Sequence, residues 1–181
     1  MKTLFNLTLL VALLASVSTQ VAAQRMEEGT QLIQAGIGLG GWADYSSQTP
    51  ILSASYMHGI KNDFLNGQLA VGGAIGYKSA TYNSFYDYNW KYQYTFVSGR
   101  ATWHPNFIKS DKLDAYAGLS LGMLFVNFDG TGDAYAVDVS GSTMVLAGVI
   151  GARYAINENW GAYAELGSNL GYLTLGVSYK L

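Results

Sequence analysis

The sequence predicts an all-β protein: an eight-stranded antiparallel up-and-down transmembrane β-barrel. Three observations predict it. The first is a period of two that runs through most of the chain after residue 30. Side chains of a strand alternate between two faces, so this period marks strands and not helices. The second is the polarity of those faces. One carries Leu, Ile, Val and aromatic residues; the other carries Gly, Ser and the few charges. A barrel in lipid has its apolar face outside and its polar face in the lumen. A soluble lipocalin-like barrel needs the reverse. The third is composition. The 181 residues are 50% hydrophobic and only 12% charged, about half the charge of a soluble domain. Yet no apolar run after the amino-terminal segment is long enough for a spanning helix.

The last stretch, Trp160 to Leu181, shows the pattern best. Trp160, Ala162, Ala164 and Leu166 share one face, and Gly161, Tyr163, Glu165 and Gly167 the other. After a turn at Gly167–Gly171, Leu173, Leu175, Val177, Tyr179 and Leu181 form an apolar row. An exposed final strand of this kind would be an aggregation edge in water, whereas in lipid it is a wall.

The amino terminus points the same way. Met1-Lys2-Thr3 is a short basic region, Leu4 to Val17 an apolar core, and Val21-Ala22-Ala23 a small-residue cleavage site. This reads as a secretory signal peptide over 1–23, leaving 24–181 as one barrel domain.

The first strand is placed at Leu32–Trp42, with Ile33, Ala35, Ile37 and Leu39 outward. The second is placed at Ile51–Ile60, with Leu52, Ala54 and Tyr56 outward, and the third at Gln68–Lys78, with Leu69, Val71, Ile75 and Tyr77 outward. The fourth runs to Trp103, with Val97, Gly99, Ala101 and Trp103 outward and Arg100 inward. The fifth covers Leu113–Phe125, and the sixth Thr143–Tyr154, apolar on both faces. The Trp160–Leu181 hairpin supplies the seventh and eighth. Residues 43–50, 79–91, 128–141 and 168–171 are expected as extracellular loops. Residues 61–66, 104–112 and 156–159 are expected as periplasmic turns, since an even strand count leaves both chain ends on one side. Strands of about 10 residues match a tilted crossing of the bilayer.

Other classes are disfavoured. Without Lys2 the chain has 9 basic and 12 acidic residues, a net charge of −3, which offers no footprint for nucleic acid. There is no cysteine, hence no disulfide framework.

The run Gly151-Ala152-Arg153-Tyr154, then Glu158 to Gly167, Gly171-Tyr172-Leu173 and Gly176-Val177-Ser178-Tyr179 resembles the small outer-membrane β-barrel domain family of Gram-negative bacteria. Eight-stranded OmpA-, OmpX- and OmpW-like proteins share that architecture. The resemblance implies a bacterial outer-membrane location, with outer-membrane lipid as the surroundings. It also implies a final strand read by the barrel-assembly machinery. Val177, Tyr179 and Leu181 fall at that signal, Leu181 standing where the family usually has Phe.

Candidate functional residues form two groups. Arg100, Asp114, Arg153, Glu165 and Lys180 fall on the lumen face. Buried charges must be paired, so they are expected as an ion-pair network. A turn centred near Phe107 would set Arg100 opposite Asp114, and Glu165 would reach Lys180 or Arg100. Such a network plugs a narrow barrel or lines a polar path. The second group is Tyr82, Phe85, Tyr86, Tyr88 and Trp90, an aromatic girdle or a lip for an extracellular ligand. Asp129-Gly130-Thr131-Gly132-Asp133 lacks the spacing of a calcium loop and reads as turn chemistry. His58 and His104 are expected near periplasmic turns, with no nucleophile or carboxylate at a recognisable spacing. The chain is therefore read as non-enzymatic, with no cofactor and no metal. The barrel would anchor surface loops for binding, adhesion or envelope integrity. A narrow solute channel is the second reading, and a lipid-modifying enzyme the third.

Overall fold

The computed structural model describes residues 25–40, 47–83, 89–108, 110, 112–131, 137–167 and 171–181. The expected signal segment lies outside them. The described residues form nine strands: β1 (Gln31–Leu39), β2 (Ser47–Gln48), β3 (Ile51–Lys61), β4 (Gly67–Asn83), β5 (Asn89–Pro105), β6 (Leu113–Thr131), β7 (Val137–Ala155), β8 (Trp160–Gly167) and β9 (Leu173–Lys180). Strand β2 is a two-residue piece lying beside Thr81 and Ala80 of β4. The other eight are the barrel. Each pairs antiparallel with its sequence neighbour, and β1 pairs with β9 to close the ring. Closure satisfies every edge within lipid, which an open sheet cannot do.

The alternation places the side chains as polarity demands. Ile37, Leu52, Ile75, Val97, Leu121, Leu146, Ile150 and Leu175 stand exposed on the outer wall. Gln34, Ser98, Arg100, Ser120, Arg153 and Glu165 are buried inside. The wall of β7 is apolar on both sides for a reason. Met144, Leu146 and Ile150 face out, while Val145 packs inward against the Ile51–Phe96 pair.

Four strands overrun the expected length. Strands β4 and β5 have 17 residues each, β6 and β7 have 19, where about 9–11 suffice to cross a bilayer. Segments expected as loops are strand instead: Ser79–Asn83, Asn89–Trp90, Asp129–Thr131 and Val137–Gly141 continue the ladder. Their polarity reverses as they leave the membrane. Outward positions become Gln93, Lys91, Asn127, Ser140 and Ser142. Inward ones become Tyr94, Tyr92, Val126 and Phe128. The outward apolar row stops at Tyr77, Val97, Phe125 and Met144, which marks the edge of the bilayer. Beyond it stands a four-stranded sheet, polar outside and aromatic inside.

Apolar clusters sit at both ends of the barrel interior. At the long-strand end, Ile51 and Phe96 meet, with Tyr94, Leu124 and Val145 packed around them. At the chain-terminus end, Met26 is fully buried against Leu32, Met57 and Ala70. Residues 25–30, expected as a plain lead-in, form a strap across this mouth. Gly29 N–H donates to Gly59 O at 2.8 Å, and Gly59 N–H to Thr30 O at 2.8 Å. Arg25 Nη2 reaches Ile108 O, at the β5–β6 turn, at 3.1 Å. Any Cβ at position 59 would run into the backbone of Glu27, so glycine is what lets the strap lie this close.

Candidate functional site

Between the two apolar ends lies a belt of buried charge. The inward positions of β5, β6, β7 and β8 supply it, because alternation sends Arg100, His104, Asp114, Tyr116, Arg153 and Glu165 to the lumen. Arg100 Nη2 donates to both oxygens of Glu165 at 2.7 Å, across the barrel. Tyr116 Oη donates to Glu165 Oε2 at 3.1 Å. Arg153 Nη1 donates to Asp114 Oδ2 at 3.0 Å. The Arg153 guanidinium also lies 5.2 Å from the centre of the Tyr116 ring, within cation–π range. Gly151 leaves the space that this ring occupies, since a Cβ there would strike it.

The sixth member is a histidine. His104 is 2% exposed. Its Nδ1 lies 3.0 Å from both Asp114 oxygens. An ionised carboxylate only accepts, so Nδ1 carries the hydrogen and donates. Its Nε2 lies 3.0 Å from Thr102 Oγ1; in the neutral ring it accepts the hydroxyl hydrogen. Its ring centroid is 5.2 Å from that of Tyr116. The order carboxylate, imidazole, hydroxyl is that of a nucleophile relay. Thr102 is 3% exposed, and these contacts satisfy the buried polar groups of all three residues.

Several expectations are corrected. Arg100 does not face Asp114. The β5–β6 register pairs Arg100 with Ser120, because the turn is centred nearer Ser110 than Phe107. The direct partner of Asp114 is Arg153, its cross-strand neighbour on β7. Lys180 is half-buried on β9 and makes no ion pair among the described residues. His104 is expected without a carboxylate at a recognisable spacing, yet its Nδ1 lies 3.0 Å from Asp114, diagonal to it across the turn. The signal for this was present: His104, Thr102 and Arg100 occur two apart on one face, and Asp114 follows ten residues later. Above the belt, a cavity of 40 Å³ is lined by Ser53, Ser55, Phe96, Arg100, Glu165 and Thr174 among others. That is room for about three waters.

Of the aromatic group, Tyr82 and Trp90 are cross-strand partners near the tip of the β4–β5 hairpin. Phe85, Tyr86 and Tyr88 lie outside the described residues, as do Gly132 and Asp133 of the glycine-rich loop. Two rows below, Tyr92 packs on Phe128 with centroids 4.9 Å apart. At the other end, Trp160 and Tyr179 meet edge-to-face at 4.9 Å, on the outward face where an interfacial girdle belongs. Val177 and Leu181 stand exposed beside Tyr179 on that face.

The comparisons agree with this architecture. Ail, the attachment invasion locus protein of Yersinia pestis, in complex with the heparin analogue sucrose octasulfate, has a structure similar to this chain. The TM-score is 0.57 at 16% identity, over 85% of this chain and 99% of that one. The N-terminal β-barrel domain of Pseudomonas aeruginosa OprF aligns with a TM-score of 0.50 at 16% identity, over 85% of this chain and 98% of that one. Identities this low speak for the fold alone. No curated protein matches the sequence. The profile of the outer membrane protein β-barrel domain matches residues 9–179. This protein belongs to the outer membrane β-barrel domain family and resides in the bacterial outer membrane.

Proposed function

We propose that this protein is a sealed membrane anchor whose extracellular sheet binds a surface partner, with no chemistry of its own. The observation that carries it is the reversal of polarity along β4–β7. These strands leave the bilayer, stay paired to their tips, and turn an aromatic face inward. Pairing to the tips is costly in ordered backbone, and lipid anchoring alone does not call for it. Tyr-rich faces make good contact surface at small entropic cost. With the chain ends in the periplasm, this sheet points outside the cell.

Charge narrows the partner. Ail is seen with a heparin analogue. In this chain, residues 40–50, 78–95, 126–143 and 167–173 carry five aspartates and two lysines, a net charge of −3. A polysulfate would be repelled from such a surface. The aromatic face suits neutral sugars, whose rings stack on Tyr and Phe.

The test is binding to whole cells that display the protein. Neutral oligosaccharides are presented as probes, with sucrose octasulfate as the anionic control. Binding of neutral sugars that disappears in the Tyr92→Ser, Phe128→Ser variant is expected. Binding that survives the double substitution, or that favours the polysulfate, would overturn the reading.

A further inference from the structure

At the chain-terminus end the three turns are unlike one another. The β7–β8 turn, Asn157-Glu158-Asn159, is polar and exposed, as a turn in water should be. The β3–β4 turn instead displays Phe64 at 37% and Leu65 at 76% exposure. The adjacent β5–β6 turn displays Phe107 at 68%.

These side chains are held in place. Leu65 has φ 49° and Asn66 φ 57°, a left-handed backbone that leucine adopts only against a cost. Phe64 N–H donates to Gly67 O at 2.9 Å, and Asn106 N–H bridges the two turns to Asn66 O at 3.0 Å. Trp103 Nε1 donates to Phe64 O at 3.0 Å. Ser110 Oγ accepts from Leu113 N–H at 3.1 Å, and Arg25 pins Ile108.

The apolar patch continues the lipid-facing wall without a break. Val71, Leu69 and Trp103 run down the outer face of β4 and β5, directly into Phe64, Leu65 and Phe107. On β7–β9 the wall narrows past the aromatic row of Tyr154, Trp160 and Tyr179 to Ile156, at 36% exposure, and Leu181, and the turn tip at 157–159 is polar. Lys61 is exposed and Lys112 half-exposed at the flanks; Asp63 lies beside them, as do exposed Glu27 and Glu28 of the strap, where Glu28 N–H donates to Asn62 Oδ1 at 2.7 Å. Apolar tips flanked by lysines are the composition of an interfacial membrane contact: the tips enter the acyl boundary and the ammonium groups reach lipid phosphates.

We propose that the 62–66 and 106–108 turns insert into the membrane leaflet at the chain-terminus end. Phe64, Leu65 and Phe107 sit at the headgroup–acyl boundary, and Lys61 and Lys112 lie at phosphate depth. The barrel is thereby seated deeper on its β4–β5 side than on its β7–β8 side.

The chain contains no cysteine, so single-cysteine spin labels report without background. Leu65→Cys and Phe107→Cys would be labelled in full-length protein refolded into phospholipid vesicles. Val71→Cys marks the lipid wall and Asn157→Cys the aqueous turn. Folding is verified for each by the heat-dependent gel shift. The ratio of oxygen to nickel-chelate accessibility is then measured by power saturation. Ratios at 65 and 107 on the side of Val71 are expected, with Phe64→Cys giving the same result should either variant fail to fold. Aqueous ratios like those of Asn157, at any of these positions, would overturn the proposal and leave the patch free for a soluble partner.

Discussion

Arg100 on β5 and Glu165 on β8 meet across the lumen at 2.7 Å, with two strands of wall between them. Both side chains are nearly inaccessible, at 4% and 8% exposure. The pair therefore ties facing walls together, out of reach of bulk water.

Removing one member strands the other. Glu165→Ala leaves the Arg100 guanidinium and the Tyr116 hydroxyl without their shared acceptor. The expected loss is about 3–5 kcal/mol of barrel stability. The double variant Arg100→Met, Glu165→Leu should recover most of it, because an apolar pair needs no counter-charge. Urea titrations in detergent micelles would measure both. A midpoint unmoved by Glu165→Ala would remove the pair from the stability account.

Asp114 has two partners and His104 has one charged partner. Asp114→Ala should therefore cost more than His104→Ala. The first removes the carboxylate that both Arg153 Nη1 and His104 Nδ1 contact, at about 3–5 kcal/mol. The second loses a buried hydrogen bond, at about 1–3 kcal/mol. Equal costs, or the reverse order, would show that the carboxylate is not the hub.

The strap across the terminal mouth rests on Gly59. Gly59→Ala should lift residues 25–30, because the new methyl occupies the place of the Glu27 backbone. Trypsin is the probe, since it cuts after Arg25, which the folded strap holds against Ile108. Faster cleavage at Arg25 in the variant is expected. Equal cleavage rates would mean that the strap does not depend on this contact.

The projecting sheet can be located from outside. Asn127→Cys should react on intact cells with a membrane-impermeant maleimide, while Leu121→Cys, six residues down β6 in the lipid belt, should not. Equal labelling of both would place the bilayer edge elsewhere.

The wall of the barrel was legible in the sequence because lipid imposes one rule on every strand. Ile33, Ala35, Ile37 and Leu39 face out as the alternation requires, and Arg100 and Glu165 face in. The partnerships inside were less legible. Which inward residue meets which depends on register, and register depends on turn centres that composition does not reveal. A shift of the β5–β6 turn from Phe107 to Ser110 was enough to move Arg100 from Asp114 to Ser120. The strand ends are less legible for another reason. Past Tyr77 and Val97 the period of two continues with its polarity reversed, and a polar outward row resembles a loop. The strap had no periodic signal, because Met26 alone does its packing.

We infer a closed lumen with the sheet above it as the working part. Single-channel recording tests this most directly, with residues 24–181 refolded into a planar bilayer and folding verified by the heat-dependent gel shift. Silence is expected, since apolar clusters at Ile51–Phe96 and Met26–Met57 sit at both ends. Steady openings that change in the Glu165→Ala variant would contradict the claim and make the lumen a path.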